Sequence, residues 1–167
     1  MSSISPRQLA AWFDAHAAPL RLYARQWLDA QAAEDVVQEV FLSLMESAAV
    51  PANIRAWLFR AVRNASISAV RSQARRSRRE QVVAAERGDC FRPQVSDLID
   101  AHAAQAALQS LPPEPREVVV LRLWGRMTLA EVAALTGRPV STVHDQYRAA
   151  LHRIRKELEL SCRTKTN

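Results

Sequence analysis

Apolar residues recur at steps of three and four along most of the chain, which is the spacing of one face of an α-helix. The first such segment follows Ser5 and Pro6, a pair typical of a helix N-cap and first turn. Pro19 interrupts this segment, and its missing N–H predicts a kink or break over residues 16–20.

The same spacing predicts further helices. One covers residues 32–48, and the next begins at Asn53, whose side chain can cap it. Trp57 falls at the spacing of a core residue in that helix, so we expect it to pack rather than to stack on a base. Two more helices are predicted over residues 96–110 and 116–124, with a proline-rich turn between them.

Residues 128–151 have the pattern of a helix-turn-helix. Thr128 and Glu131 can form a capping box at the start of the first helix. Gly137 suits the left-handed conformation of the turn, and Pro139 suits the first turn of the second helix. The inward face of the second helix is predicted to hold Val143, Tyr147, Leu151, Ile154 and Leu158.

Composition supports an all-α fold. The chain has only three glycines and is rich in Ala, Leu, Arg and Gln, which favour helices. Periodicity is lost near residue 80, where Gly and Pro appear. We therefore predict two small helical domains, residues 1–79 and 96–167, joined by a flexible linker over residues 80–95.

Charge is distributed unevenly. The net charge is +6, and arginine supplies 21 of the 23 basic residues. Residues 14–46 carry six acids and two arginines, whereas residues 55–79 carry eight arginines and no acid. The basic segment favours a phosphate backbone as partner, and the acidic segment favours a basic protein surface.

Other chemistry is weakly represented. Cys90 and Cys162 lack metal-site spacing, and we expect them to be reduced thiols in a cytoplasmic protein. The sequence predicts no metal site, no cofactor and no membrane insertion, and it shows no nucleophile and base pair or phosphate loop. An enzyme is therefore the least favoured class.

Three motifs in order, residues 34–41, residues 56–64 and the helix-turn-helix, resemble the extracytoplasmic-function sigma factors of bacterial RNA polymerase. The resemblance extends over roughly residues 9–158. It implies that the first domain is similar to sigma region 2 and the second to the helix-turn-helix of sigma region 4. The function it implies is promoter recognition and transcription initiation as an alternative sigma factor.

The resemblance also implies partners. These are core RNA polymerase, through its β′ and β subunits, promoter DNA and an anti-sigma factor, with the chain itself a monomer. In the family the acidic second helix docks on the β′ coiled coil, which assigns core binding to Asp35, Gln38 and Glu39.

The resemblance to this family also assigns DNA contacts. The third helix with its preceding loop would melt and read the minus-10 region, and the recognition helix would read the minus-35 duplex. Arg78 and Arg79 are weaker phosphate candidates. The minus-10 residues are Asn53, Arg60, Asn64, Arg71, Arg75 and Arg76, and the minus-35 residues are Arg138, Ser141, Thr142, His144, Asp145 and Arg148.

The chain departs from the family pattern at two places. Ser68 stands where the family usually has an aspartate, so we expect one internal polar contact to be absent. His144, Asp145 and Gln146 follow the Thr-Val pair where Lys or Arg is usual, which weakens phosphate attraction and leaves the promoter sequence open.

Two alternatives compete with the sigma factor. A repressor or activator could use the same helix-turn-helix, but it would need neither the acidic helix nor the arginine-rich helix. A helical adaptor that binds only proteins predicts no salt-sensitive, promoter-specific DNA interaction.

Overall fold

The computed structural model describes residues 4–47, 49–80 and 106–163. Within these ranges every regular element is a helix, which confirms the all-α prediction. The chain divides into two compact units, residues 1–90 and 91–167. The predicted linker lies outside the described residues apart from Glu80, so its bounds remain a prediction.

Three described helices form the N-terminal unit: α1 (Pro6–Ala24), α2 (Ala30–Met45) and α3 (Ile54–Glu80). Each packs against the other two. Tyr23 is fully buried, and its ring centroid lies 5.3 Å from that of Phe59 on α3. The buried aliphatic side chains of this core include Leu20, Val37, Leu44, Leu58 and Val62.

Pro19 lies inside α1 without ending it, so of the predicted kink or break the break is wrong. A proline inside a helix costs about 3 kcal/mol, because one hydrogen bond is lost and its ring crowds the preceding turn. Ala17 and Leu20 are buried on either side of Pro19. Packing of these neighbours in the core outweighs the local cost and keeps the helix continuous.

Helix α2 begins earlier than predicted because Asp29 caps it. The Asp29 side chain accepts a hydrogen bond from the Ala32 backbone N–H at 2.8 Å. An aspartate at this position satisfies one of the unpaired donors of the first turn. The helix also ends earlier than predicted, at Met45.

The C-terminal unit contains α4 (Pro113–Leu123), α5 (Leu129–Thr136) and α6 (Val140–Arg163), preceded by the helical residues 106–109. The earlier part of the predicted helix 96–110 lies outside the described residues. Helix α6 packs against both α4 and α5. One core cluster of this unit consists of Leu108, Leu111, Val119 and Ala150, with Tyr147 and Ile154 packed against it.

Two predictions about this unit are corrected. Helix α4 begins at Pro113, within the predicted turn, because prolines are tolerated in a first turn that has no internal acceptors for its N–H groups. Leu151 is 40% exposed, and Ala150 takes its place in the core at 1% exposure. Steps of four, three and four residues lead from Val143 to Tyr147, Ala150 and Ile154 along one inward face. Leu151 lies about 100° away from Ala150 around the helix.

None of the described helices is both long enough and apolar enough to cross a membrane.

Two neighbouring positions in the connection between α4 and α5 differ in their need for glycine. Gly125 requires a glycine, and the backbone at Arg126 would favour one. A Cβ on Gly125 would lie 2.5 Å from the Leu121 carbonyl oxygen. Arg126 has a φ of 51°, in the left-handed region where a Cβ is unfavourable.

We therefore expect Gly125→Ala to destabilise the protein by about 1–3 kcal/mol. Arg126→Gly should instead stabilise it by about 0.5 kcal/mol, because relief of the Cβ contact exceeds the added chain entropy. Thermal unfolding followed by circular dichroism measures both changes. Equal melting of wild type and Gly125→Ala would contradict the steric account.

Candidate protein and nucleic-acid interfaces

An acidic and apolar face runs along the outside of α2. Asp35, Gln38 and Glu39 are all exposed, and steps of three and four place them on one side of the helix. Leu42 and Met45 continue the same side and are 60% and 56% exposed. We call these five residues the α2 face.

Leu42 and Met45 were not among the predicted site residues. Their signal is present in the sequence, because they lie seven and ten positions after Asp35 and therefore on its side of the helix. Apolar residues in an amphipathic helix are ordinarily assigned to the core, which hides such cases. Exposed large apolar side chains grouped beside charges are typical of a protein interface.

Hydrogen bonds within α2 and to α1 hold the polar part of the α2 face. The Gln31 amide donates to Asp35 Oδ1 at 3.0 Å, and the Gln38 amide donates to Glu34 Oε1 at 3.1 Å. Glu34 in turn forms an ion pair with Arg21 on α1. The side chain of Gln38 is thus tied to α1 through Glu34.

The Arg21 hydrogen bond keeps the pKa of Glu34 below its ordinary value. Burial opposes this effect more weakly, and the Gln38 hydrogen bond and the charge of Arg21 add smaller lowering effects on the pKa. A lowered pKa means that the carboxylate form is stabilised. Glu34 therefore remains an acceptor for both partners at neutral pH. The Arg21 guanidinium also lies 5.5 Å from the centroid of the Phe13 ring.

An apolar groove adjoins the α2 face. It lies between α1 and α2 and has a volume of about 300 Å³. Met45 belongs to both the groove and the α2 face, so the exposed apolar surface is continuous. The other lining residues are Pro6, Leu9, Ala10, Phe13, Asp14 and Phe41.

Helix α3 presents a basic stripe. Arg60, Asn64, Arg71 and Arg75 are exposed, and at 3.6 residues per turn they fall within about 60° of one another around the axis. From Arg60 to Arg75 the stripe extends about 22 Å along the helix. The side chains of Arg76, Arg78 and Arg79 lie outside the described part of the chain, so their roles remain predictions.

Part of this stripe borders an open groove of about 520 Å³, lined also by Arg63 and Ile67. Ser68 lines the groove and is exposed, and the absence of one internal polar contact at this position stays a prediction. Ser66, in contrast, is a fully buried serine of α3. Ser68 is therefore a surface hydroxyl between Asn64 and Arg71.

Asn53 has a structural role at the start of α3. Its side-chain oxygen accepts a hydrogen bond from the Ala56 backbone N–H at 3.0 Å, which confirms the predicted cap. The residue is exposed. Trp57, predicted to be a core residue, is only partly buried.

The helix-turn-helix forms as predicted from α5 and α6. Thr128 Oγ1 accepts from the Glu131 N–H at 3.1 Å, and Glu131 Oε2 accepts from the Thr128 N–H at 2.7 Å. Gly137 ends α5 with a φ of 70°, in the left-handed conformation. Helix α6 begins directly after Pro139.

The outer face of α6 carries the predicted recognition residues. Ser141, Thr142, His144, Asp145 and Arg148 are all exposed, while Val143 between them is fully buried. His144 Nδ1 lies 3.8 Å from Asp145 Oδ1, and exposure of both side chains makes such a contact weak. These side chains are therefore accessible to a ligand.

Arg138 differs from the other predicted DNA contacts because its guanidinium is bonded internally. It forms an ion pair of 2.7 Å with Glu117 on α4, and its side chain is only 17% exposed. It also donates to Gln146 Oε1 on α6 at 2.8 Å. The geometry gives Arg138 a role in joining helices.

Comparisons with known proteins match the two units separately. Residues 12–76 match the family model of sigma-70 region 2, and residues 101–158 match that of sigma-70, region 4.

The curated relatives of this chain are also sigma factors. A 69-residue segment is 42% identical to the RNA polymerase sigma-E factor of Streptomyces antibioticus, covering 39% of this chain and 38% of that protein. The chain thus spans well under half of that relative in this match. The ECF RNA polymerase sigma factor SigK of Mycobacterium ulcerans is 28% identical over 148 residues, which are 84% of this chain and 79% of that protein.

Solved structures share the fold. The sigma factor RpoE of Bartonella quintana, crystallised with the anti-sigma factor NepR, has a TM-score of 0.71 at 24% identity, covering 90% of this chain and 95% of that one. CnrH in complex with the cytosolic domain of CnrY has a TM-score of 0.62 at 23% identity, covering 93% and 90%.

The Asn53 cap generates a stability prediction. Asn53→Ala should lower the free energy of unfolding by about 1 kcal/mol, because the first turn of α3 loses its acceptor. Asn53→Asp keeps an oxygen in place and should retain wild-type stability. Chemical denaturation of both variants measures the difference, and an Ala variant as stable as wild type would show that the cap contributes nothing.

Proposed function

We propose that this chain, a member of the extracytoplasmic-function sigma factors of bacterial RNA polymerase, acts as an alternative sigma factor that binds core polymerase and recognises promoters. The observation that carries the proposal is the pair of surfaces on the N-terminal unit. Helix α2 presents acids beside exposed apolar side chains, and α3 presents an arginine stripe. Such surfaces suit a protein partner and a nucleic acid respectively.

The α2 face is our proposed docking surface for the β′ coiled coil of core polymerase. Leu42 and Met45 supply apolar area that a partner can bury, and Asp35 and Glu39 supply charge that selects a basic partner. Negative charge disfavours DNA at this surface. The β subunit, predicted as a second contact, remains part of the same proposal.

The α3 stripe is our proposed contact with the minus-10 region. A melted strand exposes unstacked bases and a phosphate backbone. Arg60, Arg71 and Arg75 can hold the backbone, and Asn64 can donate to a base or a phosphate. Trp57, which is only partly buried, also lies near the start of α3. Asn53 and Arg76 complete the proposed minus-10 set.

The outer face of α6 is our proposed reader of the minus-35 duplex. A recognition helix places its N-terminal residues against base edges in the major groove. Ser141, Thr142, His144 and Asp145 occupy the first two turns of α6, and Arg148 follows one turn later. Asp145 can accept from a cytosine amino group, and Arg148 can donate to a phosphate or a guanine.

The rival functions leave observations unexplained. A repressor that used α5 and α6 gives no role to the α2 face, and a protein-binding adaptor gives no role to the α3 stripe. Sigma factors are non-catalytic initiation factors, and we propose no enzymatic activity for this chain. We also propose that the chain is a monomer, lies in the cytoplasm and is bound by an anti-sigma factor, as RpoE is in its solved structure.

Asp35→Arg tests the proposed polymerase surface. It reverses the charge at the α2 face, and we expect affinity for purified core RNA polymerase to fall about tenfold or more. Glu159→Arg is the matched control, since it makes the same charge change at an exposed position of α6 and should bind normally. Fluorescence anisotropy of labelled full-length protein, titrated with core polymerase, measures both.

Wild-type affinity in Asp35→Arg would remove the α2 face from the proposal. Equal losses in both variants would show that net charge alone, rather than this face, governs binding.

A further inference from the structure

Arg138, Glu117 and Gln146 form a polar cluster inside the C-terminal unit. Arg138 lies in the turn between α5 and α6, Glu117 on α4 and Gln146 on α6. One terminal nitrogen of Arg138 donates to Glu117 Oε2 at 2.7 Å, and the other donates to Gln146 Oε1 at 2.8 Å. The second nitrogen also lies 3.4 Å from the Glu114 carbonyl oxygen.

The cluster is largely withdrawn from solvent. The side chain of Glu117 is 7% exposed and that of Arg138 17% exposed. A buried carboxylate that loses its cation is strongly unfavourable, because no water replaces the lost partner. A DNA phosphate that drew the Arg138 guanidinium outward would break its ion pair with Glu117 and its hydrogen bond to Gln146. The observed contacts therefore oppose such a movement.

The cluster also fixes the recognition helix. Gln146 directly follows Asp145 and stands two positions before Arg148, both on the outer face of α6. A planar guanidinium that bonds to α4 on one side and α6 on the other restrains rotation of α6 about its own axis. Such a rotation would move every side chain on the outer face relative to a base edge.

We infer that Arg138 is a positioning residue for minus-35 recognition: it sets the rotation of α6 through Glu117 and Gln146 and contributes no phosphate contact. This inference rests on the proposed function, because it assumes that α6 reads a duplex. It also replaces the sequence-based assignment of Arg138 as a direct minus-35 DNA contact. The neighbouring Gln146 thereby becomes part of the support for the outer face.

The test uses holoenzyme assembled from the full chain and core polymerase. Wild type first selects from a library of promoter duplexes that are randomised in the minus-35 region. Failure of wild type to select any sequence would overturn the proposed function, and the comparison of variants would not arise. A selected duplex then serves as the probe for salt-dependent binding.

Arg138→Gln should broaden the selected sequences, with a loss of about tenfold in preference for the best duplex over random ones. The slope of log affinity against log salt should stay as in wild type. Arg148→Gln is the matched comparison at an exposed position. If Arg148 contacts a phosphate, the magnitude of the salt slope in this variant should be smaller than in wild type by about 0.9. A purely structural role would lower stability without altering the preferred sequence.

A salt slope whose magnitude is smaller by about 0.9 in Arg138→Gln, with the preferred sequence retained, would identify a phosphate contact and overturn the inference. Unchanged preference and unchanged slope would overturn it equally. Arg138→Lys covers the case in which the Gln variant fails to fold, because its charge still compensates Glu117 while one ammonium cannot hold both partners in the same geometry. It should also broaden the selected sequences, and retention of the wild-type preference would contradict us.

Discussion

The exposed side chains of the proposed surfaces on α2 and α6 are placed by the apolar faces of their own helices. On α2, burial of Val37, Phe41 and Leu44 turns Asp35 and Glu39 outward. On α6, burial of Val143 and Ala150 turns His144 and Arg148 outward. Hydrophobic burial is the dominant favourable term in folding, so the same packing that stabilises each unit also determines which residues a partner meets.

How much of the fold and of the candidate surfaces can be predicted from the sequence depends on how far apart along the chain the interacting residues lie. The Thr128 capping box and the turn at Gly137 follow from neighbouring residues, and the structure confirms both. Continuity of α1 through Pro19 depends on packing against other helices, which local rules do not contain. The Arg138 to Glu117 pair joins residues 21 positions apart, and an isolated arginine in a turn resembles any other exposed cation. Leu42 and Met45 were missed because apolar residues are assigned to a core by default.

Charge separates the proposed roles within a single small unit. Acids on α2 and arginines on α3 cannot serve the same partner, since one surface repels the phosphate backbone that the other attracts. The proposed DNA surface of the C-terminal unit is less strongly basic, with Asp145 beside His144 on the outer face of α6. We therefore expect two modest DNA contacts that become effective together when polymerase holds both units, because the second contact then forms at high effective concentration.

In vitro transcription tests the central claim most directly. Purified core polymerase, with and without the full chain, is given a library of DNA fragments, and the 5′ ends of the transcripts are sequenced. The proposed sigma function predicts start sites that depend on the chain and lie downstream of a shared pair of sequence elements. Start sites identical to those of core polymerase alone, or without any common upstream sequence, would contradict it.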